Sequence, residues 1–211
     1  MQGPVVLQVS FIFGDVMKSL FSQMMLATLI FVSVSVAHAD AIKPSDVVPV
    51  INGEVYSKIA RVEGEEGVTS FQYVRPNEEF KGWTGTVIYA NYQLDDIGDD
   101  PQNVAIRLVQ GLQNLNPGAK YQLVGDESGK VVLLDFLSWP PSRNYMELSV
   151  YRIQRDKPGE GVYSLQFSTR MPFITEANEE VTNNLKVLRA SLLQQAVQFD
   201  MNKVIELLKS E

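Results

Sequence analysis

The chain has 211 residues, a formal net charge of −7 and no cysteine. An acidic chain without a basic run suits neither nucleic acid nor an anionic membrane surface. Without thiols there are no disulfides, no thiolate chemistry and no lipid-bearing cysteine, so an ordinary hydrophobic core must hold the fold.

The N-terminal part reads as an export signal. Met17 is the expected start, with residues 1–16 left over as a misassigned leader, and Lys18 supplies the positive n-region. Residues 24–36 form the apolar stretch, and Ala37-His38-Ala39 has the small side chains a signal peptidase requires, which makes Asp40 the first mature residue. The apolar run is short for a ~30 Å membrane core, and Ser22, Gln23, Ser33 and Ser35 interrupt it, so cleavage is expected over anchoring. The expected product is a periplasmic or secreted protein, a single α+β domain over residues 40–211 with no stable membrane insertion. The charges of Asp15 and Lys18 cancel, so cleavage leaves it equally acidic.

His38 is the only histidine, and it lies in the signal. The mature chain therefore has no Ser-His-Asp triad, no His base and no nitrogen or sulfur ligand for zinc. No cofactor, metal site or catalytic residue is expected. Only carboxylate, Lys, Tyr or Ser chemistry remains open, which points away from an enzyme while leaving two-carboxylate hydrolysis available.

Residues 47–51 are a short apolar run ended by the turn dipeptide Asn52-Gly53. Residues 55–62 and 68–74 read as a hairpin with the charged tip Glu63-Gly64-Glu65-Glu66-Gly67. Residues 83–94 form an aromatic, β-branched strand, followed by an acidic loop at 95–100. Asp100 then caps a helix with Pro101 in its first turn and Val104, Leu108, Leu112 and Leu115 on one face, stopped by Asn116-Pro117-Gly118. Residues 120–124 and 130–137 form a hairpin, and the second strand, apolar on both faces, is expected at the sheet centre. Residues 145–155 and 162–170 alternate apolar and polar side chains, the mark of an antiparallel sheet. From Glu176 the period turns helical through Val181, Leu185, Leu188, Leu192, Ala196 and Phe199. Asp200 is placed to start a second helix bearing Val204, Ile205, Leu207 and Leu208, so the C-terminus is one long helix or two. The expected class is α+β, an antiparallel sheet flanked by helices.

Motifs for chemistry are weak. Residues 125–130 carry a glycine and a lysine as in a phosphate loop, but with one residue too few and Val131 in place of the hydroxyl residue. Asp95, Asp96, Asp99 and Asp100 lack the spacing of a calcium loop. Glu65-Glu66, Glu78-Glu79 and Glu179-Glu180 are sequence neighbours, which point apart on a strand. The candidate recognition residues are Trp83, Trp139, Pro140, Pro141, Arg143 and Tyr145. Aromatics and arginine dominate binding hot spots, although the two tryptophans are better suited to plugging the ends of a core.

The stretch Asn77-Glu78-Glu79-Phe80-Lys81-Gly82-Trp83-Thr84-Gly85-Thr86-Val87, with the later helix, hairpin and Gly161-Val162-Tyr163-Ser164-Leu165-Gln166 strand, resembles small exported proteobacterial proteins of PsbP/Mog-like fold. The likeness covers about residues 68–193. It implies an antiparallel sheet between helices and an accessory or binding role, and it carries no catalytic set. The expected function is a non-enzymatic binding or accessory protein, with protein as the expected partner. The alternatives are a carboxylate-based hydrolase of envelope polymers, which needs two carboxylates across a cleft with one buried, and a secreted host-interaction factor.

Overall fold

The computed structural model of the chain describes residues 42–62, 67–176 and 178–210. The expected export signal lies outside the described residues, as do residues 63–66 of the charged tip expected from sequence. Among the described residues no helix is long and apolar enough to cross a membrane.

A tiny hairpin comes first, β1 (Val50–Ile51) and β2 (Glu54–Val55). Its turn places Asn52 and Gly53 at φ 52° and 80°, the left-handed region that these two residue types tolerate best. The run read as a single strand from Val55 breaks at Tyr56, which turns into the core, and β3 (Lys58–Val62) starts beyond it. Then follow β4 (Val68–Val74), β5 (Gly85–Tyr92), α1 (Pro101–Leu115), β6 (Lys120–Gly125), β7 (Val131–Ser138), β8 (Tyr145–Arg155) and β9 (Val162–Pro172). The chain closes with α2 (Glu179–Gln198) and α3 (Met201–Lys209).

β3 to β9 form one fully antiparallel sheet in the order β3-β4-β5-β9-β8-β7-β6. The class is α+β, as the alternating strands predict. β9, the last strand in sequence, lies between β5 and β8 at the middle of the sheet. β7, expected at the centre, is next to the β6 edge. Its two apolar faces are accounted for differently: Val132, Leu134 and Phe136 pack towards α1, while Leu137 on the other face packs at the margin of the larger core.

That larger core joins Tyr73, Tyr89, Tyr163, Leu165 and Phe167 of the sheet to Leu192 and Ala196 of α2 and to the buried face of α3. The tyrosine hydroxyls there are satisfied by backbone carbonyls: Tyr73 donates to Pro44 at 3.0 Å, Tyr89 to Val47 at 3.2 Å and Tyr163 to Glu160 at 2.8 Å. Burial of phenols is tolerated only with such partners. On the opposite face α1 covers Val132, Leu134, Tyr151, Ile153 and Val162.

The helix ends follow their capping residues. Asp100 accepts from the Gln102 N–H at 2.9 Å with Pro101 in the first turn, and Asn178 accepts from the Val181 N–H at 2.8 Å. Asp200 accepts from the Asn202 N–H at 3.0 Å, so the C-terminus is two helices, with extended backbone at Phe199. Arg152 of β8 collects the end of α2, its Nη1 donating to the carbonyls of Ala196, Val197 and Phe199 at 3.2, 2.9 and 3.0 Å. A cation there satisfies orphan carbonyls and the negative end of the helix dipole together.

Two expected stripes need correction. Leu115 is 82% exposed, and Ala105 and Val109 supply the contact instead. In α2, Leu192 and Ala196 are the buried residues, while Val181, Leu185 and Leu188 are half-buried. The first half of α2 stands away from the sheet.

Candidate ligand-binding groove

That separation leaves a groove of about 330 Å³ between the first half of α2 and the strands β6, β7 and β8. Its apolar wall is Leu185, facing Leu137 and Leu148, which are register partners on β7 and β8. Tyr121 of the β6 edge borders it and is itself partly exposed.

One end is closed by an ion pair. Arg189 of α2 donates from Nε and Nη2 to the two oxygens of Asp135, both at 2.6 Å, and from Nη2 to Oε1 of Gln122 at 2.6 Å. Asp135 is 8% exposed. The hydrogen bonds to Asp135 push the Arg189 pKa upward, so the guanidinium stays charged. A bidentate fork of this kind fixes geometry as well as charge. The other end is open and carries Lys120, Lys186 and Thr182. The Thr182 hydroxyl donates back to the Asn178 carbonyl at 2.8 Å, which leaves its oxygen free to accept.

The six residues picked from sequence lie elsewhere, in two groups. Trp83 is 8% exposed, and the guanidinium carbon of Arg170 lies 3.5 Å from its ring centre and 4.5 Å from that of Tyr145. Arg170 also pairs with Glu147 at 3.3 Å. Trp139 is half-buried, its ring edge-on to Phe173 at 6.2 Å and resting above Gly118, where a Cβ would meet it at 3.0 Å. Arg143, at φ 51°, stands over the same Phe173 at 5.8 Å. Pro140 is half-buried and Pro141 exposed. The two groups meet at one end of the sheet, since Tyr145 pairs with Pro172, the neighbour of Phe173.

The acidic loop disperses its carboxylates. Asp100 caps α1, Asp96 pairs with Arg107 at 2.8 Å, and Asp99 accepts from the Gly159 N–H. Among the described residues no cluster of three or more potential ligands forms. Asp126, in the loop likened to a phosphate site, accepts from the Ser128 hydroxyl and from the Val131 and Lys130 N–H groups, and these bonds hold its pKa low.

The groove residues carry no sequence signal of their own. Leu137, Leu148 and Leu185 read as core leucines, and Asp135 and Arg189 are 54 positions apart. One feature was readable: an acid in an otherwise apolar strand, Asp135 between Leu134 and Phe136, needs a buried partner.

An uncharacterised protein family has a model that matches residues 50–201. No curated protein matches the chain.

Proposed function

Because the chain belongs to this uncharacterised family, a membership that brings no chemistry with it, we propose its function from the groove. The protein is an exported, non-enzymatic binding or accessory protein that takes an apolar group between α2 and the sheet. The observation that carries this reading is the face of three leucines, Leu137, Leu148 and Leu185, turned onto about 330 Å³ of open space. Ligand sites are concave and mostly apolar with a few convergent polar groups, and run from about 300 to 1,000 Å³. The export signal read at residues 17–39 supports a periplasmic or secreted location. The same reading takes the fold as PsbP/Mog-like, supported by the antiparallel sheet with helices on both faces.

Carboxylate hydrolysis has less support. The partly buried acids face cations: Asp135 meets Arg189, Glu147 meets Arg170, and Glu78 meets Arg75. Burial works to raise the Glu78 pKa, but hydrogen bonds from Thr84 and the Arg75 charge overcome it and hold the acid low. A general acid needs the opposite shift.

The test uses N-phenyl-1-naphthylamine, a neutral apolar dye that fluoresces on leaving water. The folded protein is expected to bind it saturably at one site. Leu185→Trp, which fills the groove from its wall, abolishes binding without lowering the unfolding midpoint. Absence of saturable binding by the folded wild-type protein overturns the reading.

A further inference from the structure

The charge in the groove is placed at one end. At the closed end the Arg189 guanidinium is neutralised by Asp135. At the open end Lys120 and Lys186 are exposed and make no ion pair among the described residues. The strand register fixes this polarity: Lys120 lies opposite Leu137, and Gln122, bound by Arg189, lies opposite Asp135. On α2, Lys186 precedes Arg189 by one turn, so helix and strand carry their lysines to the same end. The nearest helix acids, Glu179 and Glu180, lie outside the lining. A site with two uncompensated cations on a chain of net charge −7 is a local reversal of sign.

Resting on the groove as the ligand site, we propose that its occupant is a single-chain anionic amphiphile of the fatty-carboxylate type, taken up as a free monomer. The head group lies between Lys120 and Lys186 and accepts from their ammonium groups. The tail crosses the strands over Leu137 towards Leu148 beneath Leu185, with the Arg189–Asp135 pair along one side. The limited volume makes the site selective for chain length. The net negative charge of the protein opposes docking on an anionic bilayer, so the monomer in solution is the source. An apolar side chain of a protein partner, the class expected from sequence, fills the apolar part but leaves the lysines without a counter-charge.

Calorimetric titration of the full mature protein at low ionic strength tests this with octanoate, dodecanoate and hexadecanoate. Dodecanol, dodecyltrimethylammonium and vesicles of anionic phospholipid serve as comparisons. Affinity is expected to rise by up to about fourfold per added methylene, the worth of one buried CH₂, and then to level off once the tail fills the groove. Dodecanoate should bind more tightly than dodecanol, and dodecyltrimethylammonium least. The double change Lys120→Glu and Lys186→Glu should weaken dodecanoate about tenfold or more, an effect that shrinks with salt. Dye binding by the wild-type protein reports the apolar groove separately.

Equal binding of dodecanoate and dodecanol, insensitive to the charge reversal, overturns the proposal. Binding to vesicles without uptake of monomeric dodecanoate overturns it as well. In either case retained binding of the neutral dye keeps the groove as a ligand site, whereas loss of dye and amphiphile binding together removes that reading too.

Discussion

Arg170 stacks on Trp83, with the guanidinium carbon 3.5 Å from the ring centre, although the two residues are far apart in sequence. They are brought together because β5 and β9 are neighbours, with Gly85 opposite Thr169. Glu147, opposite Arg170 on β8, holds the guanidinium from the other side. The stack occupies the face of Trp83, so this tryptophan is spent on holding the sheet end. Trp83→Ala is expected to cost about 3–5 kcal/mol. Arg170→Ala should cost less, about 1–3 kcal/mol, through the lost cation–π contact and the unpaired Glu147. Denaturant unfolding monitored by tryptophan fluorescence checks the ranking, and equal costs would contradict it.

The two halves of α2 should respond differently to truncation. Leu192 is 4% exposed and belongs to the core, so Leu192→Ala is expected to cost about 2–5 kcal/mol. Leu185 lines the groove, where part of its surface is already wet, and Leu185→Ala should cost less than about 1.5 kcal/mol. Paired urea titrations decide this. A Leu185 variant as damaged as the Leu192 one would mean that the helix lies flat on the sheet.

The Arg189–Asp135 pair ties α2 to β7. Arg189→Ala leaves the buried Asp135 carboxylate without its counter-charge. The cost should approach, without reaching, the roughly 3–5 kcal/mol of a fully buried pair, because the Arg189 side chain is 36% exposed. Asp135→Asn should be milder, since Arg189 can turn to water. Thermal unfolding of both variants checks the order. Amide exchange in the first turns of α2 should also quicken in Arg189→Ala.

Acid and base should each unfold the protein through identifiable groups. The Glu78 pKa is depressed below its ordinary 4.5, so its contribution to stability is present above that value and is lost as pH falls through the lower folded-state pKa. Glu78→Gln should flatten the stability–pH curve below pH 4.5. Tyr73 and Tyr89 are displaced the other way, raised from 10.0 chiefly by burial. Their contribution is intact below pH 10.0 and is lost above it. Ultraviolet titration should therefore show a class of tyrosines that ionises only as the fold is lost. Full ionisation before any change in circular dichroism would refute this.

The strands were legible because alternation and turn residues act locally: Asn52-Gly53 and Asp100-Pro101 mark a turn and a helix start through bonds only a few residues long. The hairpin pairings β3–β4 and β6–β7 were legible through their turns, but the β5–β9 pairing was not, since it joins distant segments by backbone bonds that leave no pattern in side chains. The groove was hidden for a related reason. A leucine beside an empty space and a leucine in a packed core have the same sequence period, and the stripe Val181-Leu185-Leu188-Leu192 separates into the two kinds only when the tilt of α2 is known. Trp83 and Trp139 were legible as end-of-sheet residues, but their partners Arg170 and Phe173 come from the far end of β9 and the segment after it.

The position of β9 has a consequence for the order in which the molecule can be assembled. Until residue 162 is available, the sheet exists only as two unconnected parts, β3-β4-β5 and β8-β7-β6, each with an open inner edge. The helices that complete the larger core come later still. A chain emerging from its N-terminus therefore has no way to reach its stable form until its final quarter is free. Under the proposed export, such a delay keeps the chain extended during passage and postpones closure to the far side. A version ending at residue 161 is expected to show no cooperative unfolding transition, and a separately supplied 162–211 fragment should restore one.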